Sequence, residues 1–145
     1  DAKVEELDDQ IEECVHGIDP PMLSIPGVGA SSTAVILSEY GDFSKFKNPS
    51  KMLAFAGLEP GYFQSGQSES TGHMVKHGSP HLRCALLNCC LPLVSNEPIF
   101  AEFYAKKRAE GKTHQVAMTH VAKKLLRVIF TLQTKNIPYD PALIR

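Results

Sequence analysis

Between Glu59 and Arg83 the chain reads EPGYFQSGQSESTGHMVKHGSPHLR, a polar, glycine-bearing run inside an otherwise apolar sequence. Four hydroxyls, Ser65, Ser68, Ser70 and Thr71, precede Lys76, His77, His81 and Arg83. Hydroxyls set beside cations suit attack on a phosphodiester. The oxygen is the nucleophile, while the cations hold nonbridging oxygens and stabilise the charged transition state. By composition alone the four hydroxyls are equal candidates, and a solvated surface loop is the plain alternative. Loops of this length are uncommon in compact domains unless they are functional or disordered.

Two other chemistries fit the same stretch less well. His73, His77 and His81 recur every fourth residue, but Gly78 and Pro80 interrupt the interval, so one helix face cannot align the three imidazoles. No carboxylate or cysteine stands at ligand spacing beside them, and no metal site is expected from this chain. The QSGQS run lacks the G-x-S-x-G turn of a hydrolase, and no parallel-sheet pattern surrounds it.

The elements flanking the polar run read as helices. In VEELDDQIEECVHGI the apolar positions Val4, Leu7, Ile11, Cys14 and Ile18 follow a heptad stripe, as at the end of a coiled coil or on an amphipathic helix. Asp19-Pro20-Pro21 stops it. A short helical turn over Pro20–Ile25, the PGVG turn and a second helix to Tyr40, closed by Gly41, resemble a helix-hairpin-helix. In that arrangement amides around Gly27 and Gly29 and the following helix N-terminus can face a phosphate, without reading bases. Asn48-Pro49 and Ser79-Pro80 each pair an N-cap with a first-turn proline. Pro92 is expected to kink or end the helix opened by Ser79. Further on, PIFAEFYAKKRAEG turns Phe100, Phe103 and Tyr104 inward and Lys106, Lys107 and Arg108 outward. The last helix buries Val121, Leu125, Val128, Ile129 and Leu132, and NIPYDP ends it. Strand signal is confined to a possible short piece at Tyr62 and Phe63. A compact, all-α or nearly all-α domain is expected.

Composition sets the outer bounds. At 145 residues and 43% apolar content the chain suits one ordinary domain with a real core. Of its 16 acids and 15 bases, the first 25 residues hold eight acids and one base, leaving 14 bases against eight acids. A basic body behind an acidic lead-in is compatible with a polyanionic partner. There is no apolar run of membrane-spanning length and no charged-then-apolar leader, so a cytoplasmic protein is expected. The start at Asp1, in what reads as mid-helix, suggests an excised fragment. Cys14, Cys84, Cys89 and Cys90 form no C-x-x-C pair and are expected to be buried thiols.

Several stretches, in order and at compatible spacing, carry a resemblance. They are IPGVGASSTAVILSEYGDFSKFKNPSKMLAFAGLEPGYFQSG, KHGSPHLRCALL, KRAEGKTHQVAMTHVAKKLLRVIFTL and PYDP. Together, over about residues 20 to 141, they resemble the C-terminal domain of the DEDD insertion-sequence transposases, which include the Piv-type pilin invertases and the bridge-RNA-guided recombinases. The resemblance implies residues 1–19 as the end of a coiled-coil linker helix and 20–145 as a serine domain. It also implies a separate N-terminal RuvC-like domain whose four acidic residues hold divalent metal, magnesium by expectation. The family's Ser-Gly pair falls on Ser65 and Gly66, its lysine-x-glycine element on Lys76 and Gly78, and its leucine-arginine pair on Leu82 and Arg83. Ser65 is thereby the expected nucleophile, forming a phosphoserine link to DNA. Lys76 and Arg83 are the expected backbone clamps, with His77 and His81 beside them and Lys123, Lys124 and Arg127 as further contacts. Two departures stand out: SPHLRCAL carries one arginine where relatives often have more, and Val75 stands where serine is frequent. Expected partners are DNA, a guide RNA in the RNA-guided branch, and further copies of the full-length protein, with no membrane. The fragment alone is expected to be inactive. The alternative is a non-catalytic helix-hairpin-helix module that binds nucleic acid.

Overall fold

A computed structural model describes residues 1–58 and 79–144. Its helices are α1 (Ala2–Ile18), α2 (Ala30–Tyr40), α3 (Pro49–Ala56), α4 (Pro80–Asn96), α5 (Pro98–Ala109) and α6 (His114–Lys135). Single 3-10 turns occur at Pro21–Ser24, Phe43–Lys45 and Pro141–Leu143, and no strand occurs among the described residues. The fold is all-α, as the sequence predicts. The extended piece suggested at Tyr62 and Phe63 lies outside the described residues.

Helix starts are set by local side-chain caps. Asn48 accepts from the Lys51 amide at 3.4 Å, Ser79 from the Leu82 amide at 3.2 Å, and Thr113 from the Val116 amide at 3.3 Å. Each satisfies one of the amides a helix leaves free in its first turn. The amphipathic α6 lies at the centre. It buries Val121, Ala122, Leu125, Leu126, Ile129 and Leu132 against α3, α4 and α5. On α4, Leu82, Leu86, Cys89, Cys90 and Leu93 fill the layer between α2 and α6. The 3-10 turn at Pro21–Ser24 is tied to the end of α6: the Met22 amide donates to Gln133 at 2.9 Å, and the Tyr139 amide donates to the Ser24 hydroxyl at 2.8 Å.

Four expectations are refined. The α4 helix does not end at Pro92 but continues to Asn96. Proline removes one amide donor to the Asn88 carbonyl; both residues sit on the exposed face, where water can take up the unpaired oxygen. The chain turns instead at Glu97, where α4 and α5 meet at 103°. Of the four cysteines, only Cys89 and Cys90 are buried; Cys14 and Cys84 are exposed because they sit on the outward faces of α1 and α4. The α1 stripe is left uncovered: Val4, Leu7, Ile11, Cys14 and Ile18 are exposed, and the neighbouring Val15 is the residue that α1 buries. Lys107, expected to point outward, is instead laid over the Phe103 ring, 5.3 Å from its centroid. Among the described residues no single helix is long and apolar enough to cross a membrane.

Candidate nucleic-acid interface

Ser65, Gly66, Lys76 and His77 lie outside the described residues. What the structure does define is how the ends of that segment are held. At one end α3 closes on Gly57, whose left-handed φ of 73° suits glycine, and Leu58 is buried. At the other, the Ser79 amide donates to the Phe55 carbonyl at 2.9 Å. The Ser79 hydroxyl caps α4 and also donates to the Glu39 carboxylate on α2. Arg83, half-buried on the first turn of α4, reaches back with its guanidinium to the Ala56 carbonyl at 3.4 Å. Three helices therefore converge on one serine, and both ends of the 59–78 segment are pinned to the core.

This convergence gives a measurable expectation. Ser79→Ala removes the α4 cap and the tie to Glu39 together, so the chain should lose about 1–2 kcal/mol of stability. Urea denaturation checks this; an unchanged midpoint would contradict the anchoring role.

The two glycines of the PGVG turn differ in what they do. Gly27 has φ +97°, and a Cβ built on it would stand 2.8 Å from the Leu93 amide nitrogen. It therefore lets the turn approach the α4 backbone. Gly29 precedes α2 as its N-cap without a side-chain cap, and the space around its Cα is open. A groove of about 270 Å³ runs from the α2 N-terminus to α4, with Ser31, Ser32 and His81 on its walls. This brings His81 to the start of α2.

The α6 bases divide into two groups. Lys124 lies 5.1 Å from the Phe103 ring centroid and 6.0 Å from that of Phe100. Desolvation, and then the neighbouring Arg127, lower its pKa. Arg127 is exposed beside it, on a groove shared with Phe103 and Thr131. Lys123 belongs to the other group. Together with Lys107 and Lys112 it raises the positive potential at His120, whose pKa is lowered by partial burial first and by these three lysines next; Glu110 opposes them. The Glu110 carboxylate is shared by Lys107 at 3.5 Å and Lys112 at 3.9 Å.

Sequence reasoning missed the Glu39–Ser79 tie, the His120 cluster, and a basic groove lined by Lys45, Phe46, Lys47 and Lys51. The last was legible as KFKNPSK, a basic run interrupted by an aromatic. The others depend on contacts between distant positions. Among the described residues no three His, Cys, Asp or Glu side chains meet so as to hold a metal ion. The residues described here thus do not fit a divalent metal centre.

Fold and site define a small all-helical domain that fastens both ends of a polar, hydroxyl-rich segment to its core and carries several basic surfaces. Residues 20–105 match the Transposase IS116/IS110/IS902 family, and the chain belongs to that family. It is 31% identical over 125 residues to the insertion element IS110 uncharacterized 43.6 kDa protein of Streptomyces coelicolor, an alignment covering 86% of this chain and 31% of that protein. It is 28% identical over 121 residues to the pilin gene-inverting protein of Moraxella bovis, covering 82% of this chain and 38% of the relative. A transposase for insertion sequence element IS1111A, from Coxiella burnetii, is 29% identical over 119 residues, covering 80% and 33%. The chain spans about a third of the length of these curated relatives.

Proposed function

We propose that this chain is the nucleophile-bearing, DNA-binding domain of a transposase or site-specific recombinase, with Ser65 as the attacking residue. The observation that carries the reading is the double anchor at Phe55–Ser79 and Ala56–Arg83, which fixes both ends of the segment containing Ser65 and Gly66. Family membership and the named recombination activity of the pilin gene-inverting relative support it.

In the proposed step the Ser65 Oγ forms a bond to a DNA phosphorus as the bond to one deoxyribose oxygen breaks. The serine gives up its proton and the departing sugar oxygen gains one. The products are a serine phosphodiester and a free hydroxyl end. Transesterification of this kind conserves the high-energy link for rejoining. Lys76 and Arg83 are proposed to hold nonbridging oxygens, and His77, His81 and the hairpin amides at Gly27 and Gly29 to bind the adjacent backbone. Arg83 has donors to spare, since the Ala56 carbonyl engages only one of its nitrogens. Lys123, Lys124 and Arg127 are proposed as outer contacts.

A divalent metal, magnesium in this reading, is assigned to an acidic domain outside this chain, and further protomers, with a guide RNA in the RNA-guided branch of the family, complete the assembly. The exposed stripe Val4, Leu7, Ile11 and Ile18 is consistent with a helix that pairs in the full-length protein. The division of labour has a direct test. The 145-residue chain should bind DNA but leave strands intact with or without magnesium, whereas the full-length protein should cleave only with divalent metal. Cleavage by the isolated chain would overturn the assignment.

A further inference from the structure

We propose that the groove formed by Lys45, Phe46, Lys47 and Lys51 is a seat for a nucleic-acid strand, the lysines taking its phosphodiesters and Phe46 lying against sugar or base. The four side chains line one cavity of about 560 Å³ where the 3-10 turn at Phe43–Lys45 leads into α3. None of the three lysines has a carboxylate within ion-pair distance among the described residues, whose ion pairs are His16–Glu12, Lys107–Glu110 and Lys112–Glu110. Asp42 feels the Lys45 charge. Its Oδ1 accepts from the Ser44 amide at 2.9 Å and the Ser44 hydroxyl at 2.7 Å, and the carboxylate forms no ion pair with a lysine of the groove. Three exposed ammonium groups thus share a concave surface with little neutralisation. Such a surface attracts a polyanion and releases its counterions.

The aromatic of the groove is held against the core. Phe46 packs edge-on against Tyr40, with ring centroids 5.5 Å apart and planes at 88°. The Tyr40 hydroxyl donates to the Met52 carbonyl at 2.7 Å inside the core. A fixed aromatic flanked by cations is the combination that holds single or unstacked strands without sequence preference. The location adds the functional link. The groove sits at the start of α3, and the helix ends at Phe55 and Ala56, where the segment carrying Ser65 is anchored. Eight residues of helix span about 12 Å, a distance of a few nucleotides. A strand seated on the lysines would be delivered along α3 toward that segment.

This inference rests on the nucleic-acid reading above but not on Ser65, because it is scored by binding and not by strand transfer. The test uses the full-length protein with Lys45→Gln, Lys47→Gln and Lys51→Gln, singly and together, and with Lys3→Gln on α1 as a matched control. Dissociation constants for a mixed-sequence DNA duplex, its single strand and a hairpin RNA of equal length are measured across a salt series. The triple variant should bind at least one of these probes about tenfold more weakly or worse. Its log–log salt slope should be shallower by about two to three, roughly one per lost phosphate contact. The probe most affected names the strand that occupies the groove. Unchanged affinity and slope for all three probes would overturn the proposal, as would equal losses in Lys3→Gln.

Discussion

Ser65→Ala in the full-length protein should lower strand transfer by at least about 10³-fold, because removal of a covalent nucleophile leaves no alternative route through the same intermediate. DNA binding should stay within about twofold, since one hydroxyl contributes little to an interface dominated by phosphate charge. Ser68→Ala and Ser70→Ala are the comparison, as these serines are equal candidates by composition. They should retain transfer within roughly tenfold. Loss at Ser68 or Ser70 with normal activity at Ser65 would move the nucleophile. Activity in all three would favour a domain that binds nucleic acid without attacking it. Recombination in cells and a gel-shift measurement on the purified protein give the two readouts.

Gly27→Ala should be the most damaging conservative change in the PGVG turn, costing about 2–4 kcal/mol. Two penalties add. The backbone there has φ +97°, a conformation that a Cβ disfavours by roughly 1–2 kcal/mol. The new methyl would also stand 2.8 Å from the Leu93 nitrogen and 3.0 Å from its Cα, and helix backbone cannot yield as a side-chain tip does. Gly29→Ala meets open space at an ordinary φ of −94° and should cost less than about 1 kcal/mol. Thermal or urea unfolding separates the two variants. A Gly27→Ala chain that folds normally while losing only DNA affinity would show that this glycine serves the ligand and not the packing.

The contrast between these glycines shows what sequence can and cannot convey. Both belong to a recognisable turn, yet the reason for Gly27 lies in a helix 66 positions away. The same division runs through the fold. The caps at Asn48 and Ser79 were legible because the acceptor and the donated amide lie three residues apart. The helical stripe of α6 was legible because its period is local. The Arg83–Ala56 contact, the Ser79–Glu39 contact and the three lysines beside His120 were not, because each needs tertiary folding to bring distant positions together. Of the two outcomes expected at Pro92, a kink or an end, the end does not occur, for a related reason. Its local cost is real, but burial of Cys89, Cys90 and Leu93 keeps both halves of α4 docked. The basic groove is a different case, since KFKNPSK stands in plain view; what sequence lacked was the absence of compensating carboxylates around it.

For the candidate site, sequence supplied the hydroxyls and cations, and resemblance selected one serine among them. The structure contributes the anchoring at Phe55, Ala56, Ser79 and Arg83, and a basic groove at the other end of α3.

The most direct test is to incubate the full-length protein with labelled substrate DNA and divalent metal, denature it before rejoining is complete, and map the linked peptide by mass spectrometry. The account predicts a nucleotide esterified to Ser65, absent from the Ser65→Ala protein. A link at any other residue, or strand transfer with no protein-bound DNA on that time scale, would contradict it.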